Sequence, residues 1–298
     1  GDTWQGSYTT LKSYGTDMVD VMNALGVQAM TGHWEFTLGW FQVQELIKRL
    51  KFPFLAGNVQ DTDFEDPVFE QHTMIKRGGL NVAVIGQAFP YTPLANPRHL
   101  IPKWSFGIRE EALRERVKIV QGQGADLVVL LSHNGFDVDR KLAGRVEGID
   151  VILTGHTHDA LPRALTVGKT LLIASGCNGK FLSRLDLDVQ NRSVRGFRYS
   201  LIPILSDVIA PDPAIKKLVA GLRAPHEKEM ARVLGRTETT LYRRGNFNGT
   251  FDDLILDAIM KERNTQIGLS PGFRWGPSLI PGQDITVEDV FSQTAISY

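Results

Sequence analysis

The sequence predicts an α/β fold in which buried strands alternate with amphipathic helices. Three apolar, β-branched runs, at residues 80–86, 125–131 and 151–154, have the composition of strands that are buried on both faces of a sheet. Helix-like spacing of apolar residues at 109–123 and 139–146 precedes the second and third of these runs. Strand and helix alternation of this kind is typical of layered α/β domains.

Composition and charge exclude several classes of protein. The 298 residues are 42% hydrophobic and 22% charged, which suits a globular chain with a large core and part of a second domain. A formal net charge of zero gives no electrostatic reason to expect binding to nucleic acid or to an anionic membrane. No apolar run approaches the length of a membrane span, and a single cysteine excludes an internal disulfide.

The remaining segments predict helices in the first part of the chain and strands later. Apolar spacing predicts helices at 9–25 and 40–50 and a strand at 52–59. After Cys177, two strand-like stretches at 185–189 and 194–202 flank a turn, so we expect a hairpin there. Prolines break the chain near residue 212, and the pattern then predicts a long helix over residues 214–234 and a shorter one over residues 251–261.

Side chains that can bind metal follow several of the predicted strands and turns. They are Asp2, His33, His133, His156 and His158. Ligands of open α/β sheets bind outside the carboxyl ends of the strands, where a histidine pair past a buried strand would lie. Neutral imidazole is the commonest metal ligand of proteins. A carboxylate such as Asp2 can bridge two ions held about 3.5–4 Å apart. The alternatives are a turn aspartate and core or surface histidines.

In their order along the chain, these motifs resemble those of the calcineurin-like metallophosphoesterases. Residues 1–6 match the Gly-Asp-x-x-x-Gly block, His133 matches the lone histidine, and residues 155–158 match Gly-His-x-His. Residues 174–187 are similar to the strand-closing segment of the 5'-nucleotidase branch. The resemblance implies a four-layered αββα sandwich of metallophosphoesterase type, followed by part of a smaller C-terminal α+β domain of 5'-nucleotidase type.

The resemblance also implies domain limits and a dinuclear metal centre. The catalytic domain would span residues 1–205, a linker helix 206–234, and the partial second domain 235–298. Asp2 would bridge two divalent ions, with His33, His133 and His156 on one ion and His158 on the other. Manganese is expected, with zinc or iron as alternatives, since nitrogen and oxygen ligands suit all three. The family's Asp-x-His block and first strand would lie upstream, so we expect the chain to be a fragment that is shortened at both ends.

One block departs from the family pattern in a chemically informative way. The family's Gly-Asn-His-Glu is Gly-His-Trp-Glu at residues 32–35. His33 therefore occupies the position of the family's metal-binding asparagine, and Trp34 occupies the position of its catalytic histidine. Indole cannot serve as an acid, so we expect a substrate whose leaving group needs no proton. Together with residues 1–7 and 86–91, this block resembles one subfamily, the SoxB thiosulfohydrolases of bacterial sulfur oxidation.

This subfamily resemblance implies an activity, a partner and a compartment. The expected reaction releases sulfate from a cysteine S-thiosulfonate on a carrier protein, with Asp2, His33 and Trp34 in the catalytic centre. The carrier would be similar to SoxY with SoxZ, and the reaction would take place in the periplasm. One alternative is a 5'-nucleotidase or cyclic-nucleotide phosphodiesterase that uses another acid. Another is a non-catalytic binding subunit, although such a protein has no use for the retained histidines.

Five further polar side chains are candidates for supporting roles. Arg274 lies in a loop similar to the substrate-binding Gly-Gly-x-Arg loop of 5'-nucleotidases and would pair with the sulfonate. Asn58 and Asn134 would position the substrate or the metal ligands, the alternative for both being a local turn. Glu35 and Asp159 would orient metal-bound histidines, the alternative being solvated loop carboxylates.

Overall fold

The structure, a computed structural model, describes residues 1–243, 248–270 and 276–294. The helices in this part of the chain are α1 (Tyr8–Ser13), α2 (Thr16–Ala24), α3 (Trp40–Arg49), α4 (Thr92–Ala95), α5 (Glu110–Gly122), α6 (Phe136–Arg145), α7 (Pro213–Arg223), α8 (Glu227–Met230), α9 (Thr250–Arg263) and α10 (Val287–Thr294). The strands are β1 (Val59–Asp61), β2 (His72–Arg77), β3 (Leu80–Gln87), β4 (Trp104–Phe106), β5 (Leu127–Ser132), β6 (Val151–Thr154), β7 (Leu165–Val167), β8 (Thr170–Ala174), β9 (Phe181–Gln190), β10 (Ser193–Pro203), β11 (Val233–Arg236) and β12 (Asp284–Thr286). Within the described ranges, no helix has the length and apolar character needed to cross a membrane.

A six-stranded sheet with the order β2-β3-β5-β6-β8-β7 forms the centre of the fold. Its four inner strands are parallel, and both edge strands run antiparallel to their neighbours. The inner strands are apolar because helices and a hairpin cover the two faces of a parallel sheet. Parallel strands end at the same edge, so the loops after β3, β5 and β6 lie side by side.

The two faces of this sheet are covered by different elements. Helices α5 and α6 pack on one face, where Leu113 and Leu142 share a core with Leu130 and Ile152 of the sheet. The long hairpin of β9 and β10 packs on the other face and contributes alternate side chains, with Leu185 and others contacting the sheet. The predicted α/β sandwich is therefore confirmed. Within the described residues, its second β layer is this two-stranded hairpin.

A second, aromatic core lies beside the sheet and holds the beginning of the chain. Helices α2 and α3 and the short ladder of β1 and β4 surround Phe36, Phe54 and Trp104, which are buried. Trp4 is completely buried in this core, with its ring 5.9 Å from that of Phe54. Because Trp4 lies two residues after Asp2, this burial anchors the start of the chain close to the sheet.

The single helix predicted at residues 9–25 is wrong, since the structure divides it into α1 and α2. Tyr14 and Gly15 have positive φ angles of 52° and 84°, and the left-handed backbone ends α1. Apolar spacing continues through the break, so periodicity alone could not reveal it. Gly15 was the available signal, because glycine adopts this conformation without steric cost.

The described chain divides into two compact units. The first comprises Gly1–Trp4 and Met18–Lys216, and the second comprises Gln5–Asp17 and the residues from Lys217 onward. Residues 5–17 therefore group with the second unit, whereas the predicted boundaries placed them in the first domain. Helix α1 packs within the second unit, where Tyr8 contacts Met230 and Val287.

The long linker helix predicted over residues 214–234 is also wrong. The structure has two helices, α7 and α8, with a turn between them in which the His226 N–H donates to the Arg223 carbonyl. Helix α7 has no buried side chain, whereas Met230 of α8 is buried beside α1. A single core contact near the end of the segment is too sparse a pattern for periodicity to locate the break.

Candidate metal centre

Four of the five predicted metal ligands lie together at the carboxyl edge of the central sheet. Asp2, His33, His133 and His156 each offer one ligand atom, and these atoms all lie within 4.8 Å of one another. His133 follows the last residue of β5, and His156 lies two residues after β6. Adjacent parallel strands therefore deliver two of the four side chains, while loops from the aromatic core deliver the other two.

Asp2 is the charged group at the centre of this cluster. Its Oδ2 is hydrogen bonded to His133 Nε2 at 2.8 Å, and its Oδ1 lies 2.8 Å from His33 Nδ1. Burial raises the pKa of Asp2, but the charge and hydrogen bonds of His133 and His33 outweigh burial and hold the pKa well below its ordinary value. Asp2 is therefore a carboxylate at neutral pH, as a bridging metal ligand must be.

His133 and His156 are neutral at neutral pH, which leaves their ring nitrogens able to bind a cation. Burial lowers the pKa of His133 to about 4, and the opposing charge of Asp2 restores only part of this loss. Burial, followed by repulsion from His33 and His133, lowers the pKa of His156 to about 3. Neutral imidazole is the form that binds metal.

His33 provides the test of whether a metal fits these residues. Its side chain is only 1% exposed, and among the described residues its Nε2 has no hydrogen-bond partner, while its Nδ1 faces only the Asp2 carboxylate at 2.8 Å. Buried polar atoms without partners are rare because each costs about 1–3 kcal/mol. A cation held by His33, His133, His156 and Asp2 would give one ring nitrogen of His33 a partner, and the mixed nitrogen and oxygen donors suit manganese, zinc or iron.

Backbone strain is concentrated in the same loops. Asp2, His156 and His158 have φ angles of 64°, 80° and 61°, in the left-handed region that favours glycine. Such residues cost about 1–3 kcal/mol each and occur mainly at functional sites, where surrounding contacts enforce them. Gly155 permits the close approach, since a Cβ at this position would lie 2.9 Å from His133 Nδ1.

Glu35 connects the two loops that carry Asp2 and His33. Its carboxylate is completely buried and accepts hydrogen bonds from the backbone N–H groups of Asp2 at 3.1 Å and Thr3 at 2.5 Å. It also accepts from the N–H groups of His33 at 2.7 Å and Trp4 at 3.4 Å. Glu35 was predicted to orient metal-bound histidines, and its contact with the His33 residue is to the backbone N–H.

Aromatic rings enclose the ligands on one side. The His33 ring contacts both Trp34 and Phe89, with centroid distances of 4.6 and 4.1 Å. Phe89 also stacks on His156 at 4.0 Å with an interplanar angle of 27°. Tyr91 continues this wall and is half exposed. Phe89 was missed as a site residue, although residues 86–91 carried part of the subfamily resemblance.

His158, Asp159 and Arg274 remain outside the group of four ligands. His158 is half-buried, and its charge contributes to lowering the pKa of His156, so it lies near the cluster. The exposed Asp159 carboxylate accepts a hydrogen bond from the Thr157 hydroxyl, which stabilises the turn between the two histidines. Arg274 lies outside the residues that the structure describes.

Asn58 joins two loops through hydrogen bonds to the backbone. Its Nδ2 donates to the carbonyls of Ala88 at 2.7 Å and Gly107 at 2.9 Å, and its Oδ1 accepts from the Ala88 N–H at 2.8 Å. The side chain is buried. The structure therefore gives Asn58 a structural role in place of the predicted substrate contact, because its amide is already used by the protein.

Asn134 also lies in the interior, below the ligand edge. Its Nδ2 donates to Gln87 Oε1 at 2.6 Å and to Asp139 Oδ1 at 3.0 Å. Its backbone N–H donates to Ser132 Oγ at 3.1 Å. These contacts place Asn134 in a buried polar network with Ser132, Gln87 and Asp139, next to His133 in the chain.

Comparisons with curated proteins identify metallophosphoesterases and 5'-nucleotidases. No protein-family model matches the chain. The 5'-nucleotidase of Rattus norvegicus is 26% identical over 263 residues, which cover 80% of this chain and 45% of that protein. The uncharacterized metallophosphoesterase YunD of Bacillus subtilis is 30% identical over 188 residues, 62% of this chain and 40% of that protein. The chain thus spans about half the length of the curated relatives it matches.

Comparisons with solved structures agree over nearly the whole chain. The sulfate thiohydrolase SoxB of Thermus thermophilus, solved in complex with glycerol, superposes with a TM-score of 0.94 and 36% identity. This match covers 98% of the present chain and 54% of that protein. A 5'-nucleotidase precursor from Thermus thermophilus superposes with a TM-score of 0.85 over 96% of this chain and 62% of the other, and at 23% identity it supports the fold alone.

Proposed function

The chain belongs to the 5'-nucleotidase branch of the metallophosphoesterases, and on this premise we propose that it hydrolyses a cysteine S-thiosulfonate on a carrier protein. The products would be sulfate and a persulfide that stays on the carrier. The similarity to SoxB supports this choice within the branch. The observation that carries it is Trp34, whose ring lies 4.6 Å from that of His33 at the position of the family's acid.

The metal ions of the proposal would be held by side chains that already converge. Asp2, His33, His133 and His156 would hold one ion, and Asp2 with His158 would contribute to a second. We propose manganese, with zinc or iron as alternatives, since the donors fit all three. When bound, such ions supply Lewis acidity at a tetrahedral oxyanion.

The leaving group explains why the site has an indole in place of an acid. In the proposed reaction water adds to the sulfonate sulfur, the sulfur–sulfur bond breaks, and the persulfide departs with the bonding electron pair. A persulfide is far less basic than an alkoxide, so it leaves without a proton at neutral pH. Trp34 has only a weak N–H donor and no acidic proton, which suffices for this substrate and does not suffice for a phosphate ester.

The aromatic wall fits a substrate that contains a chain of sulfur atoms. Trp34, Phe89 and Tyr91 present ring faces and edges beside the ligands. Sulfur packs favourably against aromatic rings, and apolar walls limit the access of additional water. The wall becomes more exposed at Tyr91 and at Leu94 of α4, where a cysteine-bearing tail could enter.

The carrier and the compartment complete the proposal. The partner would be a protein with a flexible, cysteine-bearing tail, similar to SoxY with SoxZ, and the reaction would take place in the periplasm. Both suggestions rest on the similarity to SoxB. A neutral formal charge suits neither a nucleic acid nor an anionic membrane as the partner.

A side-by-side assay tests the proposed substrate. The manganese-loaded protein is incubated with a thiosulfonated cysteine peptide and, separately, with AMP, and the release of sulfate and of phosphate is measured. We expect sulfate release at least about a hundred times faster than phosphate release, because an alkoxide leaving group here lacks general acid assistance, which is worth roughly 10²–10⁴-fold.

Rapid cleavage of AMP without sulfate release would replace the proposal with the alternative of a 5'-nucleotidase. The curated relatives of that name, at 26% identity, are the observation that keeps this alternative under test. Failure to bind manganese, zinc or iron would instead favour a non-catalytic binding subunit, because every proposed reaction requires the metal.

A further inference from the structure

A buried carboxylate, that of Asp139, connects two strand ends beneath the metal ligands. Its Oδ1 accepts hydrogen bonds from Ser132 Oγ at 2.8 Å and from Asn134 Nδ2 at 3.0 Å. Its Oδ2 accepts a hydrogen bond from the Thr154 hydroxyl. Asp139 has no exposed surface, and it lies in the first turn of α6. Three donors thus surround a charge that no solvent reaches.

The two hydroxyl donors occupy equivalent positions on neighbouring strands. Ser132 is the last residue of β5, Thr154 is the last residue of β6, and the two are partners in the parallel register. His133 follows Ser132 directly, and His156 lies two residues after Thr154. The Asp139 carboxylate therefore bridges the points from which both histidine loops leave the sheet.

The bridge reinforces the last backbone contact between these strands. The Gly155 N–H donates to the Ser132 carbonyl at 2.9 Å, which continues the ladder to the edge of the sheet. Beyond this bond the chain leaves the sheet, and His156 has a strained backbone. A carboxylate that accepts from both terminal hydroxyls fixes their rotamers and the separation of the strand ends at this point.

A buried acid is costly, so its retention here requires an explanation. Desolvation of a charged group must be offset by hydrogen bonds, and an apolar side chain of similar volume often gives equal stability. The helix dipole at the start of α6 and the three donors favour the anion. Burial nevertheless prevails and raises the pKa of Asp139 to about 6.

We propose that Asp139 is a positioning residue of the metal centre, which sets the spacing of His133 and His156 and thereby the affinity of the site for its ion. The inference rests on the metal centre of the proposed function and is independent of its substrate. Metal sites tolerate ligand displacements of only about 0.2 Å. Outer partners of metal ligands typically contribute about 10–100-fold in affinity.

The experiment measures manganese affinity by isothermal titration calorimetry on metal-free protein, without any substrate. Asp139→Asn keeps the shape of the side chain but replaces one acceptor oxygen with a donor nitrogen. Thr154→Val keeps the β-branched shape and removes only the hydroxyl. We expect each variant to bind manganese about tenfold more weakly than the unmodified protein, with an unchanged circular dichroism spectrum.

Two matched variants control for charge and for stability. Asp137→Asn makes the same charge change in the same helical turn, but Asp137 is exposed. Asp150→Asn weakens a contact at the opposite end of the same strands, where Asp150 Oδ2 accepts from the Val128 N–H at 2.8 Å. We expect both controls to bind manganese like the unmodified protein, even if Asp150→Asn lowers the melting temperature.

Unchanged manganese affinity in folded Asp139→Asn and Thr154→Val would overturn the inference. Equal weakening by Asp150→Asn would also overturn it, because the effect would then reflect general loss of stability. Failure of the proposed function gives a different result, in which the thiosulfonated peptide releases no sulfate while the variants still differ in manganese affinity. If the unmodified protein binds no manganese, zinc or iron, the metal centre and this inference fail together.

Discussion

Trp34 is the single residue on which the proposed substrate depends. Its ring packs beside His33, and its backbone N–H donates to Asp2 Oδ1 at 3.3 Å, so the residue contacts the ligands through both backbone and side chain. Its identity was available from the motif at residues 32–35. The motif could not show that the Phe89 ring also contacts the ring of His33.

Replacing Trp34 with histidine should restore some phosphomonoesterase activity. An imidazolium at this position could assist a departing alkoxide, and general acid catalysis contributes roughly 10²–10⁴-fold where it operates. We expect AMP hydrolysis to increase at least about tenfold, and sulfate release to fall less than about tenfold through lost packing. Steady-state rates for both substrates, measured on manganese-loaded protein, provide the test.

Trp34→Phe is the matched control, because it keeps an aromatic ring and offers no proton. It should leave AMP hydrolysis unchanged. A many-fold increase in sulfate release by Trp34→His would contradict the proposed leaving group, since a persulfide should depart without a proton.

Buried polar residues were the least predictable part of the site. Asn58 follows a strand-like segment and a glycine, a pattern that suits a binding loop. Its side-chain amide is nevertheless hydrogen bonded to the backbone of Ala88 and of Gly107. Asp139 was not identified, because an aspartate near a helix start is ordinarily a solvated capping or dipole residue. Only the convergence of β5, β6 and α6 surrounds its carboxylate with donors.

At the scale of elements, the apolar runs located three of the four inner strands closely, whereas β8 was not predicted. The predicted strand at residues 151–154 coincides with β6, and the predicted helices at 109–123 and 40–50 differ from α5 and α3 by at most one residue at either end. The hairpin extends further than predicted, to Phe181 and Pro203, because its outer face is polar and exposed and therefore lacks a continuous apolar pattern. The edge strand β2 was missed for the same reason.

The junction of β5, β6 and α6 should give the stability of the protein a distinctive pH dependence. Burial raises the pKa of Asp139 to about 6, whereas an aspartate in the unfolded chain titrates near 3.8. Between these values the folded protein holds a proton that the unfolded chain has lost. The contribution of Asp139 to stability should therefore fall as pH rises through this window, by about 3 kcal/mol in total, and then stay level above it.

Urea unfolding of metal-free protein from about pH 4 to about pH 7, compared with Asp139→Asn, isolates this contribution. Asparagine does not titrate, so the difference in unfolding free energy between the two proteins should change across the window in favour of the variant at higher pH. A difference that is constant with pH would contradict the raised pKa of Asp139.

At the scale of the whole molecule, the chain enters the first unit, leaves it after Trp4 and returns at Met18. Residues 5–17 belong with the C-terminal part of the chain, although about 200 residues separate them in sequence. Tyr8 makes the key contacts, with its ring 4.8 Å from that of Phe291 and 5.8 Å from that of His226. The second unit therefore depends on an element from the start of the chain.

Tyr8→Ala should destabilise the second unit. Removing a buried aromatic side chain typically costs about 3–5 kcal/mol, and we expect about 3 kcal/mol here, measured by urea unfolding. Tyr14→Ala is the control, since Tyr14 is exposed in the same segment and should cost less than about 1 kcal/mol. Manganese affinity should stay the same in both variants, and equal stability of the two would contradict the packing of α1.

The sequence alone determined the α/β class, the positions of three of the four inner strands and the identity of the four side chains that converge on one point. These features follow from local patterns, because burial imposes apolar runs on strands and metal binding requires particular side chains at strand ends. Only the tertiary structure decided which polar groups face the site and which are buried beneath it, and which unit residues 5–17 join. Such properties depend on contacts between residues that are distant in sequence, as between Asp2 and His133 or Tyr8 and Phe291, and no local pattern encodes them.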